Sequence, residues 1–282
     1  MDGILLVDKP AGLTSFDVVY KIRKYTKTKS VGHTGTLDPQ ATGVLVILMG
    51  RACKALPYLS GKTKEYTAEL TLGIKTDTGD IWGNVIEEKE VKEITEQSVR
   101  EVLNTFLGDT MQLPPMVSAI KKDGKKLYEY AREGITVERE LRPVHIDEIE
   151  LLAMEPKIRF RVVCSNGTYV RSLCEDIAEK LQTVGTMSAL VRDRACGYTL
   201  DQCYTLEQIE QGQFETVSIY EGIRSLWPMI EIEEERVADV KNGKKIRLKS
   251  DEEIVALTWQ NEVLAMMEHQ GNGIYRCKRG LW

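Results

Sequence analysis

Long apolar runs are missing from this 282-residue chain. No stretch approaches the roughly 18 consecutive apolar residues of a membrane-crossing helix. The longest runs, such as 43–49, are short. The chain starts directly into the apolar residues 4–7 with no basic lead-in, so no secretory signal is expected. Six cysteines include no C-x-x-C pair, and without secretion they read as reduced thiols of a cytoplasmic protein. There are only three histidines (His33, His145 and His269), far apart and beside no cysteine pair, which speaks against zinc. No G-x-x-x-x-G-K-[ST] grips phosphate, no G-x-G-x-x-G follows a strand, and no G-x-S-x-G elbow supports a serine nucleophile. Repeats and low-complexity segments are also absent.

What is present is ordinary in bulk: 42% hydrophobic and 29% charged residues, typical of a globular chain of about two domains. The net charge of −5 leans against a nucleic-acid partner, but its distribution reverses the lean. Residues 20–30 carry Lys21, Arg23, Lys24, Lys27 and Lys29 with no acid, and residues 157–171 carry four cations with none. Residues 121–132 hold five basic residues against two acidic, and residues 236–249 hold six against one. Acids gather instead in 87–101, 138–155 and 201–235. Tyrosines interleave two of the basic clusters, a pattern suited to RNA or DNA.

Periodicity predicts a strand over 3–7, then a helix capped by Thr14 or Ser15 with Phe16, Val19, Ile22 and Tyr25 on one face. Residues 30–42 read as a Gly/Thr-rich loop and 43–49 as a buried strand or helix start. A strand over 63–73 is followed by a turn at 76–80 and a second strand over 81–87, a hairpin. An amphipathic helix is expected at 95–107, a basic surface insertion at 121–134, paired strands at 144–154 and 157–164, and a helix at 168–181. Short helical pieces fill 200–226, and after Trp227-Pro228 short strands and turns predominate. The mixture lacks regular βαβ alternation and argues for an α+β fold.

One segment stands out: Gly32-His33-Thr34-Gly35-Thr36-Leu37-Asp38-Pro39-Gln40-Ala41-Thr42-Gly43. Its glycines permit close backbone approach, and Pro39 biases Asp38 toward an extended backbone. The residues alone leave two readings. Asp38 is either a turn carboxylate capping the backbone or a partly desolvated nucleophile or base.

That segment resembles the catalytic motif of the TruB family of tRNA pseudouridine synthases. The opening Gly3-Ile4-Leu5-Leu6-Val7-Asp8-Lys9-Pro10 with Gly12, Thr14 and Ser15 is similar to the family's start. Lys64-Glu65-Tyr66 with Thr76-Asp77-Thr78 looks like its second motif, and residues 124–134 with Arg142-Pro143 like its mobile insertion. Residues 164–171, ending in Arg171, look like its arginine motif, and Leu190-Val191-Arg192 is similar to the strand that follows. The resemblance runs over roughly residues 1–226.

The resemblance implies detachment of a flipped uridine at its N1–C1′ bond and reattachment through C5, with no metal or cofactor. Asp38 matches the family aspartate. Attack at C1′, attack at C6 and deprotonation at C2′ all stay open for it, and each needs an ionised carboxylate shielded from water. Arg171 matches the arginine that pairs with that aspartate, and Tyr66 the tyrosine that stacks on the base. Tyr169 and Leu190 match pocket walls. His33 matches the histidine that fills the space of the flipped base. Lys121, Lys122, Lys125, Lys126, Tyr128 and Arg132 match the insertion that folds over RNA. The implied partner is the T arm of tRNA, with uridine 55 as target, no protein partner or membrane required, and a monomeric enzyme. The implied fold is that of the pseudouridine synthases: a mixed, mostly antiparallel sheet flanked by helices and loops. Residues 1–226 would be catalytic, with the insertion at about 110–142, and residues 227–282 a small β-rich PUA-like domain. The rival readings are a non-catalytic RNA-binding or RNA-folding factor, and a related synthase with rRNA or mRNA targets.

Overall fold

The computed structural model describes residues 1–61 and 63–282. The chain divides into two units, residues 1–61 with 195–282, and residues 62–194.

In the first unit the strand Gly3–Lys9 pairs antiparallel with Thr42–Met49, from Gly3 opposite Met49 to Lys9 opposite Gly43. These runs are apolar without alternation because both of their faces are covered. Ile4, Leu6, Val44, Val46 and Leu48 enter one core cluster. Leu5, Val7, Leu45, Ile47 and Met49 enter another. The helix Ser15–Thr26 covers the second face with Val18, Val19 and Ile22. Thr14 starts it with a capping box: its hydroxyl accepts from the Asp17 amide at 3.0 Å, and the Asp17 carboxylate accepts from the Thr14 amide at 2.9 Å.

Two local expectations need correction here. Phe16 is not on the buried face, which is Ser15, Val18, Val19 and Ile22, and Phe16 is 63% exposed. Ser15 bonds the backbone of Leu37, and this turns the helix so that its neighbour points outward. Residues 30–42 are not all loop. Val31–His33 forms a short strand antiparallel to Thr42–Met49, which buries Val31.

The C-terminal residues of this unit form a five-stranded sheet. Its order is Met229–Glu231, Ile254–Trp259, Glu262–His269, Ile274–Gly280 and Ile246–Arg247. The helix Glu234–Lys241 accompanies it. The sheet has its own core around Val255, Leu257, Leu264 and Tyr275. Its Ala256, Val263 and Met266, with Leu281, also join the cluster of Ile4 and Val46. Trp227 fastens the connection, donating its indole N–H to the Tyr58 carbonyl at 2.8 Å.

In the second unit the strand order is Gly185–Ala195, Thr63–Leu72, Ile158–Ser165, Arg142–Ala153 and Gly108–Gln112. The last three contacts in that order are antiparallel. The helices Glu96–Asn104, capped by Thr95, and Val170–Lys180 are near their expected positions. The hairpin differs from expectation. Gly73, at φ 85°, breaks the long strand, and the pair is Ile74–Thr76 with Val85–Glu88. Residues 79–81 instead bridge Met187: Ile81 donates to its carbonyl at 2.9 Å, and its amide donates to Gly79 at 3.1 Å. The fold is α+β with mainly antiparallel sheets and a small β-rich C-terminal sheet. Among the described residues no helix is long and apolar enough to cross a membrane.

Candidate active site

The Asp38 segment is held by residues far away in sequence. Leu37 is buried, and Ser15 grips its backbone from both sides: the hydroxyl accepts from the Leu37 amide at 2.8 Å and donates to its carbonyl at 3.1 Å. On the other side of Asp38, the Pro39 carbonyl accepts from the Lys9 ammonium and from the Gly12 amide, each at 2.9 Å. Lys9 has no exposed surface. Its other two donors meet the carbonyls of Pro10 at 2.9 Å and Leu13 at 2.7 Å. A buried charge is tolerated when its donors are satisfied. The Asp38 carbonyl closes the turn by accepting from Ala41 at 3.1 Å. Asp38 is thus partly buried, on a backbone fixed at both neighbours.

His33 ends the short strand that leads into this turn. Thr34 donates its amide to Val46 at 3.1 Å and accepts from the Cys196 thiol at 3.3 Å. Cys196 lies at φ 56°, in a tight turn with Gly197. Asp8, one residue before Lys9, has its carboxyl pushed up by burial, with the Gly43 amide opposing.

The other matched residues lie in the second unit. Tyr66 is buried on the Thr63–Leu72 strand, opposite Val162. Beside it, Glu65 pairs with Arg161 at 3.2 Å and Arg194 at 2.9 Å, and Arg161 reaches Glu148 at 2.5 Å. Leu190 is buried on the Gly185–Ala195 strand. Burial pushes the nearby Asp193 carboxyl up, partly offset by a hydrogen bond from Thr67.

Tyr169 caps the helix Val170–Lys180, and Arg171 sits in its first turn. Arg171 is not a surface arginine, being only 4% exposed. Its guanidinium donates to the carbonyls of Thr78 and Val117, each at 2.8 Å, and stands 4.0 Å from the Asp80 carboxylate. One planar fork therefore ties the 76–80 turn to the root of the insertion. Two neighbours reinforce it. The Gln112 carboxamide accepts from the Tyr169 amide at 2.7 Å and donates to its carbonyl at 3.1 Å. Ser172 donates to the Leu113 carbonyl at 2.9 Å. Gln112, Ser172 and Asp80 went unnoticed in the sequence because their partners, Tyr169, Leu113 and Arg171, are remote in the chain, 57 residues away for Gln112 and 59 for Ser172.

The insertion is an ordered hairpin and a short helix. Lys121 pairs with Lys126 and Lys122 with Lys125 across a turn at Asp123-Gly124, both at positive φ, as a two-residue hairpin turn requires. Leu127 is buried and starts the helix Leu127–Arg132. The Tyr128 ring has the Lys126 ammonium at 5.3 Å and the Arg132 guanidinium at 5.2 Å. Lys125 lies 4.7 Å from the Tyr130 ring and pairs with Glu133, and Lys122 donates to the Glu138 carbonyl at 2.6 Å. Lys121, Asp123, Gly124 and Arg132 are exposed, while the other cations are half-buried.

Two family models account for most of the chain. The N-terminal domain of TruB family pseudouridylate synthases matches residues 23–170, and the C-terminal domain of tRNA pseudouridylate synthase B matches residues 171–224. The chain is 43% identical to tRNA pseudouridine synthase B of Bacillus cereus, over 95% of this chain and 93% of that one. It is 49% identical to that of Bacillus subtilis, over 77% and 73%. The fold is similar to a chain from a Cbf5–Nop10–Gar1 complex, with a TM-score of 0.74 at 24% identity over 99% of this chain and 85% of that one. A chain of an H/ACA RNP bound to a substrate RNA containing 2′-deoxyuridine gives 0.73 at 23% identity, over 99% and 85%. Together with the pinned Asp-Pro turn, the buried tyrosine and the buried arginine, this likeness along nearly the whole length places the chain in the TruB family of pseudouridylate synthases.

Proposed function

We propose that this chain is a tRNA pseudouridine synthase that isomerises uridine 55 in the T loop, acting as a monomer on the T arm, with Asp38 as its catalytic carboxylate. The observation that carries the reading is the fastening of Asp38: Ser15 holds the residue before it and Lys9 the residue after it. A preorganised carboxylate loses little to reorganisation when charge develops beside it. In the reaction the N1–C1′ bond breaks, the base turns over, and C5 bonds to C1′. The C5 hydrogen leaves as a proton and N1 gains one, so substrate and product are isomers.

Tyr66 stacks on the target base, whose rotation an aromatic face tolerates. Arg171 supplies the cation that favours an ionised carboxylate. Tyr169 and Leu190 contact the uracil, and His33 contacts the RNA. Lys121, Lys122, Lys125, Lys126, Tyr128 and Arg132 bind the RNA backbone through the insertion. Residues 1–226 carry the catalysis, and residues 227–282 form a smaller RNA-facing β domain.

The test is tritium release from tRNA labelled at uracil C5. The wild-type protein should release tritium, and replacing uridine 55 by cytidine should silence it. Asp38→Asn should release none while still binding the tRNA. Release by Asp38→Asn at the wild-type rate would remove Asp38 from the reaction. Binding without release by the wild type would make the protein an RNA-binding factor instead. Tyr66→Ala should lower turnover strongly.

A further inference from the structure

Phe16 and Tyr20 are 63% and 64% exposed, one helical turn apart on Ser15–Thr26. Residues four apart on a helix share a face, about 6 Å apart along its axis. The same line continues to Lys24, and Lys27 follows as the C-cap just past the end of the helix; both are exposed. The exposed face is therefore a stripe with two aromatic rings at one end and two ammonium groups at the other. Neither ring is needed for the core, which this helix reaches through Val18, Val19 and Ile22. Scattered surface apolar residues need no explanation. Two aligned aromatic rings running into cations are a different arrangement, with an aromatic face for bases and charge for phosphates.

The stripe is also coupled to the Asp38 turn. Ser15, adjacent to Phe16, holds Leu37 through two hydrogen bonds. Arg23 lies 5.8 Å from the Phe16 ring and donates to the Val31 carbonyl at 2.9 Å. The helix is thereby tied to both ends of the segment 31–37, and its aromatic end is the one next to the turn. From residue 18 to residue 37 there is no acid, and Asp17 is occupied in the capping box. The charge of the face fits a polyanion.

We propose that this helix face is a track for single-stranded RNA: Phe16 and Tyr20 stack on unpaired bases flanking the target uridine, and Lys24 and Lys27 meet the phosphates that follow. The inference rests on the isomerase reading, since it takes the RNA brought to Asp38 as its ligand. It adds a contact surface distinct from the insertion and from the C-terminal domain.

The experiment measures binding of the full-length protein to a T-arm stem-loop RNA that carries 2-aminopurine at a loop nucleotide flanking the target. Phe16→Ala and Tyr20→Ala should each raise Kd about fivefold or more, the effect of one lost base–aromatic stack. They should also remove the quenching of 2-aminopurine. Tyr20→Phe keeps a ring and should behave like wild type. Lys24→Gln combined with Lys27→Asn should flatten the slope of log affinity against log salt by about 1.4, two single-strand phosphate contacts. Asparagine suits position 27, which sits at φ 53°. All these side chains are exposed or at the helix end, and matching thermal melts would confirm intact folds. Unchanged Kd and unchanged quenching in both alanine variants would overturn the track, and continued tritium release by the wild type would leave the isomerase reading standing. A wild-type protein that neither binds nor converts the RNA would remove both.

Discussion

The Lys9 ammonium crosses 30 residues of sequence to reach the Pro39 carbonyl at 2.9 Å, and so holds the residue that follows Asp38. The same group serves Pro10 and Leu13, with no surface exposed to water. The Lys9 side chain is thus the common anchor of the first strand's end and the Asp38 turn.

Lys9→Met fills a similar volume but takes the ammonium from the carbonyls of Pro10, Leu13 and Pro39, of which Pro39 keeps the Gly12 amide. It should cost about 3 kcal/mol of unfolding free energy, the usual scale for one missing partner of a buried charged hydrogen-bond set. Turnover should fall at least tenfold as Asp38 loses its fixed position. Urea titration and single-turnover kinetics measure the two effects, and native turnover in a folded Lys9→Met would disconnect Lys9 from the site.

Gln112 and Arg171 join the root of the insertion to one helix start. Gln112→Ala strands the Tyr169 amide and should cost about 1–3 kcal/mol. Gln112→Glu keeps the acceptor for that amide and loses the donor to the carbonyl, so it should cost less than alanine when both are compared by denaturant unfolding. Arg171→Lys cannot span the Thr78 and Val117 carbonyls with one planar fork. It should recover little of the turnover lost in Arg171→Ala.

His145 pairs with Asp109 across two neighbouring strands at 2.7 Å, with Asp147 3.8 Å from its other nitrogen. The Asp109 carboxylate, accepting the ring's hydrogen bond, raises the imidazole above its ordinary value of 6.5. The folded state therefore holds this proton more tightly than the unfolded chain. The associated stability is full below about 6.5 and is lost as pH rises through the folded value. NMR titration of the ring should show the raised midpoint, and Asp109→Asn should bring it back down.

Burial pushes the Asp176 carboxyl up from 3.8 to about 6. Protonation thus favours the fold, by an amount fully present below 3.8 and lost as pH rises through about 6. At pH near 7.5 the helix Val170–Lys180 carries a half-shielded, ionised carboxylate. Asp176→Asn should then stabilise the protein by about 1 kcal/mol, after allowing for screening by water. The gain should vanish near pH 4, as thermal melts at the two pH values would show.

Much of the local structure was readable because its causes are local. Thr14 and Asp17 are three residues apart, so their capping box is written in four letters. The strands at 3–9 and 42–49 follow from apolar runs, and Trp227 marks the change to short strands. The Ser15–Thr26 helix shows where this stops. Its expected and observed faces share Val19 and Ile22, and periodicity does not separate them. The choice was made by Ser15 bonding Leu37, 22 residues away. The hairpin likewise begins its second strand at Val85 because residues 79–81 are engaged by Met187.

The sequence by itself determined the α+β class, the family, and the identity of Asp38, Tyr66 and Arg171 as the residues to examine, since these depend on ordered short motifs. Only the tertiary structure decided that Lys9 is buried beneath the Asp-Pro turn, that Gln112 pairs with the backbone of Tyr169, that Arg171 bridges two carbonyls, and that Phe16 faces outward. The physical reason is common to all four. Each depends on a side chain bonding the backbone of a residue many positions away, such as the carbonyl of Pro39 or of Val117, or, for Phe16, on its neighbour Ser15 bonding Leu37, and every residue type offers the same carbonyl. Composition and periodicity do not distinguish such partners; the path of the chain does.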